Sequence, residues 1–369
     1  MKHFVCRSCN TQYPANDLRW KCDCGGLLDL ICPTAFSPGT MANRPKTLWR
    51  YREALPIDSS DSLVSFDEGY TPLSAIEIDK KPLLVKQEHL FPTGSYKDRG
   101  ATLLISQARA LGVDRVVEDS SGNAGAAIAA YAARAGMACD IYVPESTSPA
   151  KLAQIQLYGA TLHRIPGSRE DTAQAVQQAA QKHFYASHVW NPYFFHGTKT
   201  FAYEIWEQLG YRAPDALLIP TGNGTLLIGA YIGFCDLKQH GLIDKLPRLV
   251  AVQAQRCCPI AFQWDSTFHA EQGDTMAEGI AITKPARAEH MLEAIRNSQG
   301  SVITVSDEET IVALKQMAKM GFYIEPTSAT AIAAHKKYAG QKGETIVAPL
   351  TGHGLKSTEK LFKIANPTL

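Results

Sequence analysis

Three times along this chain a short apolar, β-branched run passes directly into a glycine-rich loop: RVVEDSSGNAG (115–125), DALLIPTGNGT (215–225) and ETIVAPLTGHG (344–354). Between and around them, strand-like and helix-like stretches alternate. AGAAIAAYAARAG (124–136) reads as an alanine-rich helix ended by Gly136. SPAKLAQIQLYG (148–159) reads as a helix with Ser148 and Pro149 at its start. REDTAQAVQQAAQKH (169–183) and DEETIVALKQMAKMG (307–321) read as further helices, and CDIYVP (139–144), ATLHRIP (160–166), LPRLVAVQAQ (246–255) and SVITVS (301–306) as strands. Such alternation predicts an α/β fold with parallel sheets covered by helices. Ligands in such sheets bind at the C-terminal ends of strands, and all three glycine loops leave strands in that sense.

With 369 residues and 45% hydrophobic content, the chain is long enough for two domains or a little more, with a large buried core. Lys plus Arg (37) nearly balance Asp plus Glu (36), for a net charge of +1. That balance carries no basic footprint for nucleic acid or an anionic membrane surface. No apolar run is long enough to span a bilayer, and MKHFVCRSCN at the start lacks the apolar core of a signal peptide. A cytoplasmic protein that uses neither nucleic acid nor membrane is the expectation.

Five of the nine cysteines fall in the first 32 residues. Cys6 and Cys9 form a C-x-x-C pair, and Cys22 and Cys24 a C-x-C pair followed by Gly25 and Gly26. Two close pairs a dozen residues apart fit a zinc ribbon, in which four thiolates hold a structural metal and leave no open position. The second pair is one residue shorter than usual, so a cysteine-rich turn without metal is the alternative. Cys32 lies outside the pattern.

FPTGSYKDRG (91–100) places Lys97 after a turn-forming Pro-Thr-Gly-Ser segment. An unmodified lysine is protonated near neutral pH and is a poor nucleophile. The arrangement resembles the lysine motif of the fold-type II pyridoxal phosphate enzymes, the group of tryptophan synthase β, cysteine synthase and serine dehydratase. The order of motifs extends the likeness: DEGYTPL (67–73), PTGSYKDRG (92–100), SSGNAG (120–125), TGNGT (221–225), YIEPTSATA (323–331) and TGHGLK (351–356). Together with LWRYREALP (48–56) and the cysteine ribbon ahead of it, this series resembles the threonine synthase family, over roughly residues 4–360.

The resemblance implies a two-domain, tryptophan synthase β-like fold with parallel sheets flanked by helices. The partition expected is a ribbon at 1–33, a large cofactor domain from 34–97 and 200–369, and a small mobile domain at 98–199. It implies pyridoxal 5'-phosphate held on Lys97 as a Schiff base, with the freed amine acting as acid and base. Asn123 would meet the phenolic oxygen of the ring. The amides of Gly222, Asn223, Gly224 and Thr225 suit the phosphate, and Thr351 stands where a hydroxyl faces the pyridine nitrogen. Thr351 could equally stabilise a turn. Ser120, Ser121, Gly122, Ala124 and Gly125 would cradle the carboxylate of a small amino-acid substrate. His353 is a candidate acid–base group or a packing residue. A homodimer is what the family implies.

The activity implied first is a carbon–oxygen lyase that converts O-phosphohomoserine and water to threonine and phosphate. Two positions depart from that pattern. The family's TGNT has Ala124 at its threonine, and the family's NPHRLEGQKT reads NPYFFHGTKT (191–200), with Phe194 at the arginine. Loss of a charge-assisted arginine contact leaves the substrate's phosphate without its strongest partner, unless Lys199, Arg164 or His196 supplies the charge. The alternative is β-elimination or β-replacement on serine, threonine, diaminopropionate or O-phosphoserine. A third reading, a silent binding protein, is opposed by the intact Lys97, Asn123 and Thr351.

Overall fold

The computed structural model describes residues 2–366. In chain order the strands are β1 (His3–Cys6), β2 (Gln12–Pro14), β3 (Leu28–Ile31), β4 (Leu73–Ile78), β5 (Lys81–Lys86), β6 (Arg115–Glu118), β7 (Ala138–Pro144), β8 (Thr161–Ile165), β9 (Phe184–Tyr185), β10 (Ala216–Pro220), β11 (Arg248–Ala254), β12 (Ser301–Val305) and β13 (Ile346–Pro349). They divide between two compact units: Met1–Tyr70 with Lys97–Thr200, and Thr71–Tyr96 with Phe201–Leu369.

The first unit holds a four-stranded parallel sheet in the order β8-β7-β6-β9 and a three-stranded antiparallel sheet, β2-β1-β3. The helix Asn123–Ala135 follows β6 and ends at Gly136, whose left-handed φ of 71° lets its N–H reach the carbonyls of Ala132 and Ala133. The helix Pro149–Leu157 starts after Ser148. The helix Arg169–Ala179 is capped reciprocally by Ser168 and Asp171. It stops short of the Gln181–His183 stretch that the sequence pattern included.

This division puts residues 1–33, 34–70, Lys97 and Thr200 in the first unit, where the expected partition set the ribbon apart and gave 34–97 and 200 to the large domain. Residues 34–70 pack in the first unit, because their apolar side chains bury against the helix Lys97–Ala110: Leu48 and Leu55 cluster with Leu103. Two hydrogen bonds fasten the same segment, from the Val64 N–H to Ser106 Oγ (2.9 Å) and from Thr102 Oγ1 to the Val64 carbonyl (2.7 Å). The ribbon is not a separate body either. Phe4, Leu28 and Leu30 share one core with Leu104, Tyr193 and Phe194, and Tyr193 stands edge-on to Phe4.

The second unit is built on a six-stranded sheet, β12-β11-β10-β13-β5-β4, parallel except where β4 pairs antiparallel with β5. All residues of β10 and β13 are buried, which is why these strands read as continuous apolar runs rather than alternating ones. Within the same unit the side chains of Lys86 and Glu204 form a fully buried ion pair at 2.7 Å, and Lys86 also donates to the Thr71 carbonyl. No helix among the described residues is long and apolar enough to cross a membrane.

Candidate active site

The turn ahead of Lys97 is fastened within the second unit by hydrogen bonds to two of the glycine loops. Gly94 adopts a left-handed φ of 83° and its N–H returns to the Phe91 carbonyl (2.8 Å). The Tyr96 N–H donates to the Thr351 carbonyl (3.1 Å), and the His353 N–H to the Gly94 carbonyl (2.9 Å). Tyr96 Oη lies 2.7 Å from Thr225 Oγ1. Lys97 is the next residue along the chain and opens the helix Lys97–Ala110.

The phosphate candidates fit an anion. Gly224 precedes the helix Thr225–Gln239 with φ 76° and offers no side-chain cap. The first amides of that helix therefore have no intrahelical acceptor and project from its positive end. A Cβ at Gly222 would come within 2.8 Å of Ile280 Cα, so the chain path at this loop requires glycine. Asn223 lies between the two glycines.

Thr351 is buried at the end of β13. Its hydroxyl donates to Glu325 Oε1 (3.1 Å) and lies 3.0 Å from Ser328 Oγ. Ser328, from the EPTSA motif, is thus a second buried hydroxyl beside Thr351 that motif reading did not single out. His353 serves as a cap: its Nδ1 accepts from the Leu355 N–H (3.1 Å), and its ring stands 5.7 Å from that of His89. Burial and the neighbouring His353 pull His89 down to about 4.

In the first unit, Ser120, Ser121 and Asn123 are half-buried and Gly122 is exposed, at the start of the helix Asn123–Ala135. Gly122 supplies no side-chain cap, so the amides at this helix start also suit a carboxylate. At Gly125 a Cβ would overlap the Ser120 carbonyl oxygen, which makes glycine obligatory there. Ala124 is buried.

Phe194 is fully buried in the helix Pro192–Thr198, and Lys97 Nζ lies 5.7 Å from its ring centroid. Of the replacement charges proposed for its missing arginine, His196 and Arg164 are engaged elsewhere, whereas Lys199 belongs to the same helix. His196 is buried against the ribbon, where its Nε2 lies 2.9 Å from the Leu30 carbonyl; burial and then Lys199 hold its pKa well below the usual range. Its Nδ1 faces Cys32 Sγ at 3.5 Å. Arg164 donates from the edge strand β8 to the carbonyls of Glu145 and Thr147. Lys199 is fully buried at the end of the helix that carries Phe194.

Two further ionisable groups lie in this unit. Glu118, the last residue of β6, is fully buried, and its Oε1 lies 2.6 Å from His188 Nδ1. Burial raises Glu118 to about 8 against the pull of the Lys97 charge. Burial, reinforced by Lys97, pushes His188 well below its usual value. Next to them, burial and the Glu118 charge lift Asp119 to about 6, and Tyr185 Oη donates to Asp119 Oδ1 (2.8 Å). The signal for this group was present in RVVED: two acids ending a buried strand just ahead of a ligand loop.

The four sulfurs of Cys6, Cys9, Cys22 and Cys24 lie within 4.8 Å of one another, with Cys6–Cys24 at 3.6 Å and Cys9–Cys22 at 3.5 Å. A tetrahedral zinc with bonds of about 2.3 Å needs sulfur edges a little under ~4 Å, so the C-x-C pair fits despite its shortness. The tight Cys22–Gly26 turn (Cys22 N–H to Gly26 carbonyl, 2.9 Å) brings both thiols to one side.

Residues 64–352 match the family model described as pyridoxal-phosphate dependent enzyme. The chain is 36% identical to the threonine synthase of Methanocaldococcus jannaschii, over 97% of this chain and 94% of the relative. It is 34% identical to that of Methanosarcina acetivorans, over 100% and 96%. Among solved structures it is similar to the processed form of threonine deaminase isoform 2 from Solanum lycopersicum, with TM-score 0.69, 19% identity and 91% and 90% coverage, a likeness of fold. Serine racemase from Dictyostelium discoideum matches with TM-score 0.65, 27% identity and 77% and 92% coverage.

Proposed function

This chain belongs to the pyridoxal-phosphate dependent enzymes and within them to the threonine synthase family, and from that premise we propose that it is a lyase for a small amino acid whose side chain carries no phosphate. The carrying observation is Phe194, a fully buried ring 5.7 Å from Lys97 Nζ. A phosphate dianion brought against a buried aromatic face loses its hydration without the bidentate contact that an arginine at this position would return.

In this reading Lys97 Nζ is the amine that holds the cofactor's aldehyde. The amides opening the helix Thr225–Gln239 hold its phosphate, with the Thr225 hydroxyl beside them. Thr351 of the second unit and Asn123 of the first are the residues that would contact the ring, and the amides around Gly122 would hold the substrate carboxylate. When bound, pyridoxal phosphate supplies the electron sink for the α-carbon. Lys97, once released, takes the α-proton on Nζ.

A second reading, conversion of O-phosphohomoserine to threonine, is favoured by the 36% identity to the Methanocaldococcus jannaschii threonine synthase over nearly the whole chain. One experiment separates the two. Holoenzyme is given O-phosphohomoserine with phosphate and threonine assayed, then serine, threonine and diaminopropionate with keto acid assayed. Keto acid without phosphate release supports the phosphate-free reading; phosphate and threonine release overturns it.

A further inference from the structure

A phosphate leaves a carbon without help, whereas a hydroxyl or an amine must be protonated as it departs. A lyase for phosphate-free side chains therefore needs an acid near its lysine, and the first unit contains a buried pair suited to that work. Glu118 is wholly buried at the end of β6, two residues before Ser120 of the substrate loop. One carboxyl oxygen meets His188 Nδ1 at 2.6 Å. The other, Oε2, is buried without a hydrogen-bond partner. The backbone amides of Asp119 and His188 also bear on this carboxyl, yet an unpartnered buried oxygen carries a desolvation cost that packing alone does not require. The His188 side chain retains 12% exposure where that of Glu118 has none. Its ring stands 6.0 Å from that of Phe194, the same ring that Lys97 Nζ approaches.

We propose that His188, oriented by Glu118, is the acid that protonates the departing side-chain group of the substrate. The inference rests on the phosphate-free reading of the function. His188 is then the catalytic residue and Glu118 the positioning residue behind it. For serine the step balances as follows. The electron pair that α-proton removal leaves on Cα forms the Cα–Cβ double bond while the Cβ–O bond breaks and its pair goes to oxygen. His188 Nε2–H gives its proton to that oxygen, and water leaves. Glu118 passes its proton to Nδ1 as Nε2 gives its own up; solvent then reprotonates Nε2 and the Nδ1 proton returns to the carboxylate, which restores the pair. Burial favours the neutral form of both partners. A carboxyl O–H donating to Nδ1 places the imidazole's own proton on Nε2, the ring nitrogen not bonded to the carboxyl. The charged and titratable groups around Glu118 are Lys97, Asp119, Cys139, Tyr185 and His188, and His188 also feels Arg169.

The test compares two substrates that differ in the proton they need. Holoenzyme is assayed for keto acid from serine, whose hydroxyl needs protonation, and from β-chloroalanine, whose chloride does not. Glu118→Gln and His188→Asn are each expected to lower the serine to chloroalanine rate ratio about a hundredfold. An equal fall on both substrates, or no change, overturns the proposal by showing a structural role. A second measurement does not depend on turnover. The infrared band of a protonated carboxyl should be present at pH 6, fade as the pH passes about 8 and be missing in Glu118→Gln. Its absence from the wild-type protein also overturns the proposal. A wild type that shows the band but releases keto acid from neither substrate overturns the phosphate-free reading, and the leaving-group role with it.

Discussion

Phe194 lies flush against Gly100, so closely that a Cβ on Gly100 would overlap three atoms of the ring. Both residues are fully buried or nearly so, and Gly100 sits one turn into the helix that Lys97 opens. The aromatic floor beside the lysine thus depends on a residue without a side chain. Gly100→Ala should displace the ring at a cost of about 1–3 kcal/mol. It should also lower turnover, because the moved ring borders Lys97. Urea unfolding and steady-state rates on the same preparation check both effects; unchanged stability would mean that the helix shifts freely.

Lys97→Ala should abolish the visible absorbance that loaded pyridoxal enzymes show above ~400 nm and cut activity about a thousandfold or more, the scale of a lost acid–base group. Reconstitution with the cofactor, followed by a spectrum and an assay, is the measurement. Full activity in this variant would refute the assignment of the lysine.

Gly224→Ala combines a left-handed backbone with crowding from Met291. The backbone conformation alone costs about 1–2 kcal/mol for a residue with a Cβ. The amides of the Thr225 helix start would be misdirected, so cofactor affinity should fall about tenfold. Fluorescence titration of apoenzyme with pyridoxal phosphate reads this directly.

Purified protein should contain about one zinc per chain. Cys22→Ser should lose it and lower the thermal midpoint, because the ribbon's Phe4, Leu28 and Leu30 belong to the core that includes Phe194. Elemental analysis with calorimetry tests the point. A metal-free wild type of unchanged stability would show that the cysteine turn stands alone.

His89 should make the protein acid-sensitive. Its folded-state value is depressed from 6.5 to about 4 by burial and His353, so the folded protein binds fewer protons than the unfolded chain between those values. The contribution to stability is present above pH 6.5 and is lost as pH falls through about 4. His89→Leu should flatten that part of the profile. Urea midpoints at pH 7 and pH 4.5 for both proteins measure it.

The strand–loop–helix alternation was legible because its signals are local. The Gly136 terminator, the Ser148–Pro149 start and the apolar runs of β10 and β13 each encode an element in a few neighbouring residues, and the order of the motifs from DEGYTPL to TGHGLK pointed to pyridoxal phosphate. The four ribbon cysteines were legible for the same reason. Tertiary structure alone decided three matters. It joined residues 34–70 to the first unit, since burial of Leu48 and Leu55 against Leu103 is a contact that no local pattern announces. It showed His353 to be a cap and His196 a ribbon contact, although both are titratable residues in or beside motif segments. Finally it brought His188 to Glu118 from 70 positions away and set Phe194 beside Lys97. Hydrogen bonds and desolvation between residues distant in the chain depend on how strands and helices stack, and only the folded chain brings those groups within 2.6 Å of each other.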